Sequence, residues 1–182
     1  GYALANAQTT ALEIGDEPMQ FHIKFPNVSV AVGERRIEAI PQLIQDIPNL
    51  SGIILDDAFQ HRAIQAGLVI LLTEQSNLFT RDFYLPTGDL RDLKSRYKEA
   101  DIILVTKCDP ALSVEQRESI IQEIKPTSSQ RVFFTKLNYG APYHLIDNTE
   151  AQLLLTTEVL LVTGISNPAP LKSWVEHNTA YY

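Results

Sequence analysis

Apolar residues fall along this chain in short runs separated by polar and turn-forming positions. Phe21 to Lys24 and Val28 to Val32 read as extended, divided by the Phe25-Pro26-Asn27 turn. Gly33 then opens a stretch with Ile37, Ile40, Ile44 and Ile47 at helical spacing, and Pro41 within it marks the point where a kink or break is expected. Ile53-Ile54-Leu55, Leu68 to Leu72, Ile102 to Val105 and Val132 to Thr135 are apolar on both faces, the pattern of strands buried in a parallel sheet. Ser113 to Lys125 predicts a helix: Ser113 and Gln116 suit a capping box, Ile120, Ile121 and Ile124 form a stripe, and Pro126 stops it. Strand, helix, strand in this order implies a crossover unit. A loop-rich stretch from Asn138 to Asn148 precedes a further strand candidate at Val159 to Val162 and an amphipathic helix near Leu171 to Glu176. The expected class is α/β, a mostly parallel sheet flanked by helices, with a boundary between about residues 138 and 158.

Composition narrows the choices without changing this picture. At 182 residues the chain can form one domain, or a domain and part of a second, and 45% hydrophobic with 20% charged residues is ordinary for a packed protein. The single cysteine, Cys108, excludes an internal disulfide, and four scattered histidines give no zinc spacing. A net charge of -7 disfavours nucleic acid as a partner and a polybasic membrane anchor. No apolar run approaches the roughly 20 residues that span a bilayer. Gly1-Tyr2-Ala3-Leu4-Ala5 does not read as a signal peptide, and the aromatic pair Tyr181-Tyr182 is an unusual natural end, so truncation is expected at both termini.

Candidate chemistry gathers in four places. Ile53-Ile54-Leu55-Asp56-Asp57-Ala58-Phe59-Gln60-His61-Arg62 delivers two carboxylates, an amide, an imidazole and a guanidinium after an apolar run. Ligands of open α/β sheets bind beyond the carboxyl ends of strands, and an acid there is what a Walker-B position needs to hold nucleotide-bound magnesium. A helix-capping Asp and a packed histidine are the plain alternatives. Ile14-Gly15-Asp16-Glu17-Pro18 reads as a tight loop carrying a base or metal ligand, or as a surface turn. Leu85-Pro86-Thr87-Gly88-Asp89-Leu90-Arg91-Asp92, with Lys94, Arg96 and Lys98, concentrates positive charge that could grip phosphate or form a solvated helix face. Thr106-Lys107-Cys108-Asp109 mimics the Asn/Thr-Lys-x-Asp element that reads guanine, which offers a GTP-binding regulator as the competing class, with a catalytically silent α/β binding domain as a third. A P-loop protein of either kind needs a Gly-x-x-x-x-Gly-Lys-Ser/Thr loop, and none occurs within these residues.

Taken in order, Gly15-Asp16-Glu17-Pro18, Arg36, Leu55-Asp56-Asp57-Ala58-Phe59-Gln60-His61, Leu85-Pro86-Thr87-Gly88-Asp89-Leu90-Arg91 and Val162-Thr163-Gly164-Ile165-Ser166-Asn167-Pro168 resemble the middle part of the tetraacyldisaccharide 4'-kinases, the lipid A kinases of Gram-negative bacteria. The likeness runs from about residue 1 to residue 175, and Ala58 and Thr106-Lys107-Cys108 resemble the Bacteroidetes branch. It implies a P-loop-type kinase core over 1–150 and the start of a smaller α/β lobe over 151–182. It also implies transfer of the γ-phosphate of ATP, with Mg²⁺, to the 4'-hydroxyl of a lipid A disaccharide 1-phosphate at the cytoplasmic face of the inner membrane. By this resemblance Asp16 is the base, Asp56 and Asp57 are Walker-B acids, and Gln60 and His61 complete the site. Glu17 joins the metal shell, and Arg91 and Arg36 hold substrate. The family's Walker-A loop, its membrane-contacting helix and its Asp-His-His segment have no counterpart in this stretch, Ala58 stands where Gly is usual and Asp89 where Pro is usual.

Overall fold

The computed structural model describes residues 1–144, 147, 149–165 and 167–179. Strand β1 (Tyr2–Leu4) pairs antiparallel with β2 (Ala31–Gly33), and the helix α3 (Arg36–Asp46) packs against both. Between the two strands lie the short helices α1 (Ala11–Ile14) and α2 (Asp16–Lys24). A second sheet is parallel, in the order β3 (Ile70–Glu74), β4 (Ile102–Thr106), β5 (Arg131–Phe134), with α4 (Val114–Ile124) as the crossover between β4 and β5. A 3-10 helix (Lys94–Glu99) leads into β4, and α5 (Ala169–Asn178) comes last.

The parallel sheet and its crossover stand as the apolar runs predict. Ser113 caps α4, its hydroxyl accepting from the Gln116 amide at 3.2 Å, while the Gln116 side chain accepts from the Ser113 amide at 2.8 Å. Ile120 and Ile124 then drop onto Ile103 and Val105 of the central strand, and Leu78, Cys108 and Leu112 close the core. Among the described residues this face is the better covered. Register places Ile70, Leu72 and Phe133 on the opposite face, where they remain substantially exposed, so the strands are buried on one side rather than two.

Three predicted strands are absent. Phe21 to Lys24 belongs to α2, because Asp16 and Glu17 in its first turn and His22 and Lys24 in its last favour a helix over a short apolar run, and Phe21 stacks on Phe25 one turn later. Ile53-Ile54-Leu55 and Val159 to Val162 form no strand. An extended run is stable only when its backbone finds a neighbour, and Ile54, Leu160 and Val162 are almost fully exposed. The Val28 to Val32 run shortens to β2. Helix α3 passes through Pro41 unbroken, and Pro126 follows a left-handed Lys125 that ends α4. From Thr135 to Pro168 the described residues carry no helix or strand; Tyr143 and Glu150 form an isolated bridge, Glu158 is also a bridge residue, and Tyr139 packs its ring on Trp174 of α5. Ser166 of the Val162 to Pro168 motif lies outside the described residues, as do Leu145, Ile146 and Asn148 of the predicted loop, and Ala180, Tyr181 and Tyr182.

Candidate active site

The segment after α3 closes on itself. Asp57 takes a left-handed backbone, φ +46°, which aspartate tolerates better than most residues. The Gln60 side-chain amide donates to the Asp57 carbonyl at 3.2 Å, and the His61 backbone amide donates to the Ala58 carbonyl at 2.9 Å. This compact turn presents the Asp57 carboxylate to Arg91, whose guanidinium donates to both oxygens, at 2.9 and 2.8 Å. The fork geometry of arginine makes such a pair directional, and the carboxylate raises the guanidinium's pKa above its ordinary value. Two motifs 34 residues apart are thus in contact. His61 and Arg36 line one open cavity of about 220 Å³, with Glu34, Arg35, Ile37, Ala63 and Ile64.

Arg91 is delivered by a loop with its own hydrogen bonds. Backbone bonds close it, Leu85 N donating to Leu90 O at 3.1 Å and Leu90 N to Phe83 O at 3.0 Å. The Asp82 carboxylate accepts from the Phe83 and Asp89 amides, at 2.7 and 3.2 Å. Gly88 lies against this backbone, and a Cβ there would fall 2.6 Å from the Phe83 nitrogen and closer still to the Phe83 carbonyl and the Asp82 carboxylate. Gly88→Ala should therefore cost about 1–3 kcal/mol in urea unfolding of the full-length protein, since backbone rather than a side-chain end must move. An unchanged urea midpoint would mean the loop is not packed in this way.

A wider charge network fastens the two segments. Arg62 donates to Asp92 at 3.1 Å, Asp92 also pairs with Arg96, and Arg96 forks onto Glu99 at 2.9 and 2.6 Å. The Arg96 guanidinium lies over the Phe59 ring, 4.8 Å from its centroid. The Leu93 amide and then Arg96 hold the Asp92 carboxyl below its ordinary range, and Arg96 does the same to Glu99. Depressed carboxylates stabilise above their unfolded pKa and lose that contribution as pH falls through the folded value. The melting midpoint should accordingly fall as the pH drops below the ordinary carboxylate range, and Asp92→Asn should flatten that fall. Sequence reasoning left Lys94, Arg96 and Lys98 open between a phosphate-gripping cluster and a solvated helix face, and did not single out Arg96 as the centre of this network. Instead, Arg96 is committed to acids, and Lys94 donates to the Thr80 carbonyl at 2.8 Å. The available signal was the i,i+4 and i,i+3 spacing of Asp92, Arg96 and Glu99.

Asp16 and Glu17 occupy a helix start rather than a loop. Gly15, at φ +94°, ends α1 and begins α2, so both acids fall in the first turn of α2, where the helix dipole favours negative charge. Their side chains and that of Asp56 are exposed, and among the described residues no side-chain hydrogen bond or ion pair engages them. Nor, among the described residues, do three or more His, Cys, Asp or Glu side chains come close enough to hold a metal ion. At the carboxyl end of β4, Lys107 pairs with Glu74, and the Asp109 carboxylate accepts from the Ala111 amide at 2.8 Å. Cys108 is buried between them, which raises its thiol pKa.

The family model described as tetraacyldisaccharide-1-P 4'-kinase matches residues 1–180. The chain belongs to this kinase family. Similar curated proteins, each called tetraacyldisaccharide 4'-kinase, come from Flavobacterium johnsoniae, 39% identical over 178 residues, and Bacteroides thetaiotaomicron, 40% identical over 183. These alignments cover 97% and 94% of this chain and 52% and 48% of the respective relatives. The 4'-kinase of Flavobacterium psychrophilum is 41% identical over 172 residues, 92% of this chain and 50% of that protein. The chain therefore spans about half the length of the 4'-kinase relatives it matches. No solved structure matches it.

Proposed function

We propose that this chain is the central part of an ATP-dependent kinase that phosphorylates the 4'-hydroxyl of a tetraacyldisaccharide 1-phosphate in lipid A biosynthesis. The observation that carries the proposal is the bidentate grip of Arg91 on Asp57, which joins two family motifs at one place in a chain that the family model covers to residue 180. Phosphoryl transfer asks a protein mainly for positioning and charge neutralisation, and a hydroxyl acceptor adds the need for a proton acceptor. Asp16 is assigned as that base, with Glu17 beside it. Asp56 and Asp57 are the Walker-B acids, Gln60 and His61 complete the site, and Arg91 and Arg36 hold phosphate groups.

Mg²⁺ suits these residues. Kinase magnesium is held by one or two carboxylates together with substrate phosphates and water, and its bound form would neutralise charge on the transferring phosphate. The Asp56 carboxylate has no protein partner among the described residues and can take the ion directly or through water. Asp57 can do so when Arg91 shifts from its oxygens to a phosphate. We assign residues 1–150 to a P-loop-type core and 151–182 to the start of a smaller α/β lobe. Lipid access at the inner-membrane surface is assigned to segments outside this chain. No helix of the described residues is long and apolar enough to cross a membrane. No observation among the described residues favours the GTP-binding alternative, and the 4'-kinase family model covers the same residues.

The test is transfer of labelled γ-phosphate from ATP to the disaccharide 1-phosphate, in detergent with Mg²⁺, by the full-length protein and by the 182-residue chain. Transfer by the full-length protein alone is expected. No transfer by either would overturn the assignment.

A further inference from the structure

We propose that Arg96 is a positioning residue for the phosphoryl-transfer site, acting through Arg91. This rests on the kinase function assigned above. Arg96 lies in a short 3-10 helix, yet its side chain is only 12% exposed, and that of its partner Asp92 is 16% exposed. Buried guanidinium groups persist where their donors are matched, and here every contact leads to one of the two site segments or to the local acid Glu99. Stacked on Phe59, Arg96 bears on the Asp57 to His61 turn between Asp57 and Gln60. Through Asp92 it fixes the residue next to Arg91, and Asp92 in turn takes Arg62, directly after His61. The turn and the Leu85 to Asp92 loop have no regular secondary structure beyond an isolated bridge to Tyr84, so side-chain contacts decide how one sits on the other. A planar, delocalised cation can stack on a ring and fork onto a carboxylate at once; an ammonium group cannot. Arg96 thereby sets the angle at which Arg91 meets Asp57, and later a phosphate.

The experiment measures kcat and both KM values of the full-length protein with ATP and the acyl-disaccharide 1-phosphate, for the wild type, Arg96→Lys, Arg91→Ala and the double variant. Arg96→Lys should lower kcat roughly tenfold, as small misplacements of a transition-state contact do, with both KM values within about twofold. In the Arg91→Ala background the same change should cost less than about twofold, because the group it positions is gone. A merely structural role predicts instead the same loss in both backgrounds. Phe59→Leu, which removes the stack but keeps apolar bulk, should reproduce the pattern and carries the comparison if Arg96→Lys does not fold. Wild-type rates in Arg96→Lys, or equal losses in both backgrounds, would overturn the positioning role while leaving the kinase assignment intact. A wild-type protein without transfer would overturn both.

Discussion

Asp16→Ala in the full-length protein is expected to lose about 10²–10⁴-fold in kcat while the dissociation constant for ATP stays within about twofold. The 4'-hydroxyl must shed its proton as the phosphoryl group arrives, and a positioned carboxylate lowers that barrier without contributing to ground-state affinity for nucleotide. Asp16 is suited to this by its exposure and by the absence of a side-chain partner among the described residues, which leaves both oxygens open to an acceptor. Its backbone is set by Gly15 at φ +94° and by the first turn of α2, which fixes where its side chain leaves the helix. Asp16→Asn provides the sharper comparison, because it keeps the shape and removes the basicity. Single-turnover transfer and calorimetric ATP binding measured on the same preparations decide the matter. Unchanged turnover in either variant would remove Asp16 from the role and shift attention to Glu17 or His61.

The largest effect on stability is expected from Ile103→Ala, at about 2–5 kcal/mol in urea unfolding. Ile103 is fully buried on the central strand β4, in one cluster with Leu78, Ile120 and Ile124. Truncation there removes apolar surface from the core and leaves a void that two neighbouring strands and α4 prevent from collapsing. Ile103→Val should cost far less, about 0.5–1.5 kcal/mol. Leu72→Ala on the same sheet but on its exposed face should cost little in the 182-residue chain. A loss at Leu72 comparable with that at Ile103 would show that this face is covered in solution.

The local order of the parallel unit was legible in the sequence, because its signals are short in range. Leu68 to Leu72, Ile102 to Val105 and Val132 to Thr135 each overlap an observed strand, whose ends differ from the predicted ones by a residue or two. Ser113, Gln116 and Pro126 bound α4 through hydrogen bonds and steric limits that involve only near neighbours. The same held for the helix near Leu171 to Glu176. Ile53-Ile54-Leu55 and Val159 to Val162 carried equally apolar signals and formed no strand, since a strand depends on a partner that periodicity does not contain.

At the site, the sequence by itself determined which chemical groups are present and in what order: Asp16 and Glu17 after a glycine, Asp56, Asp57, Gln60 and His61 in one short segment, and Arg91 at the end of another. That order sufficed for the resemblance to the 4'-kinase family. Only the tertiary structure decided that Arg91 reaches Asp57, that His61 and Arg36 face one cavity, and that Arg96 is held by Phe59, Asp92 and Glu99 rather than left to grip phosphate. The physical reason is distance along the chain. Capping, turn chemistry and periodicity act over three or four residues, whereas an ion pair or a ring stack across some thirty residues depends on how separate segments pack.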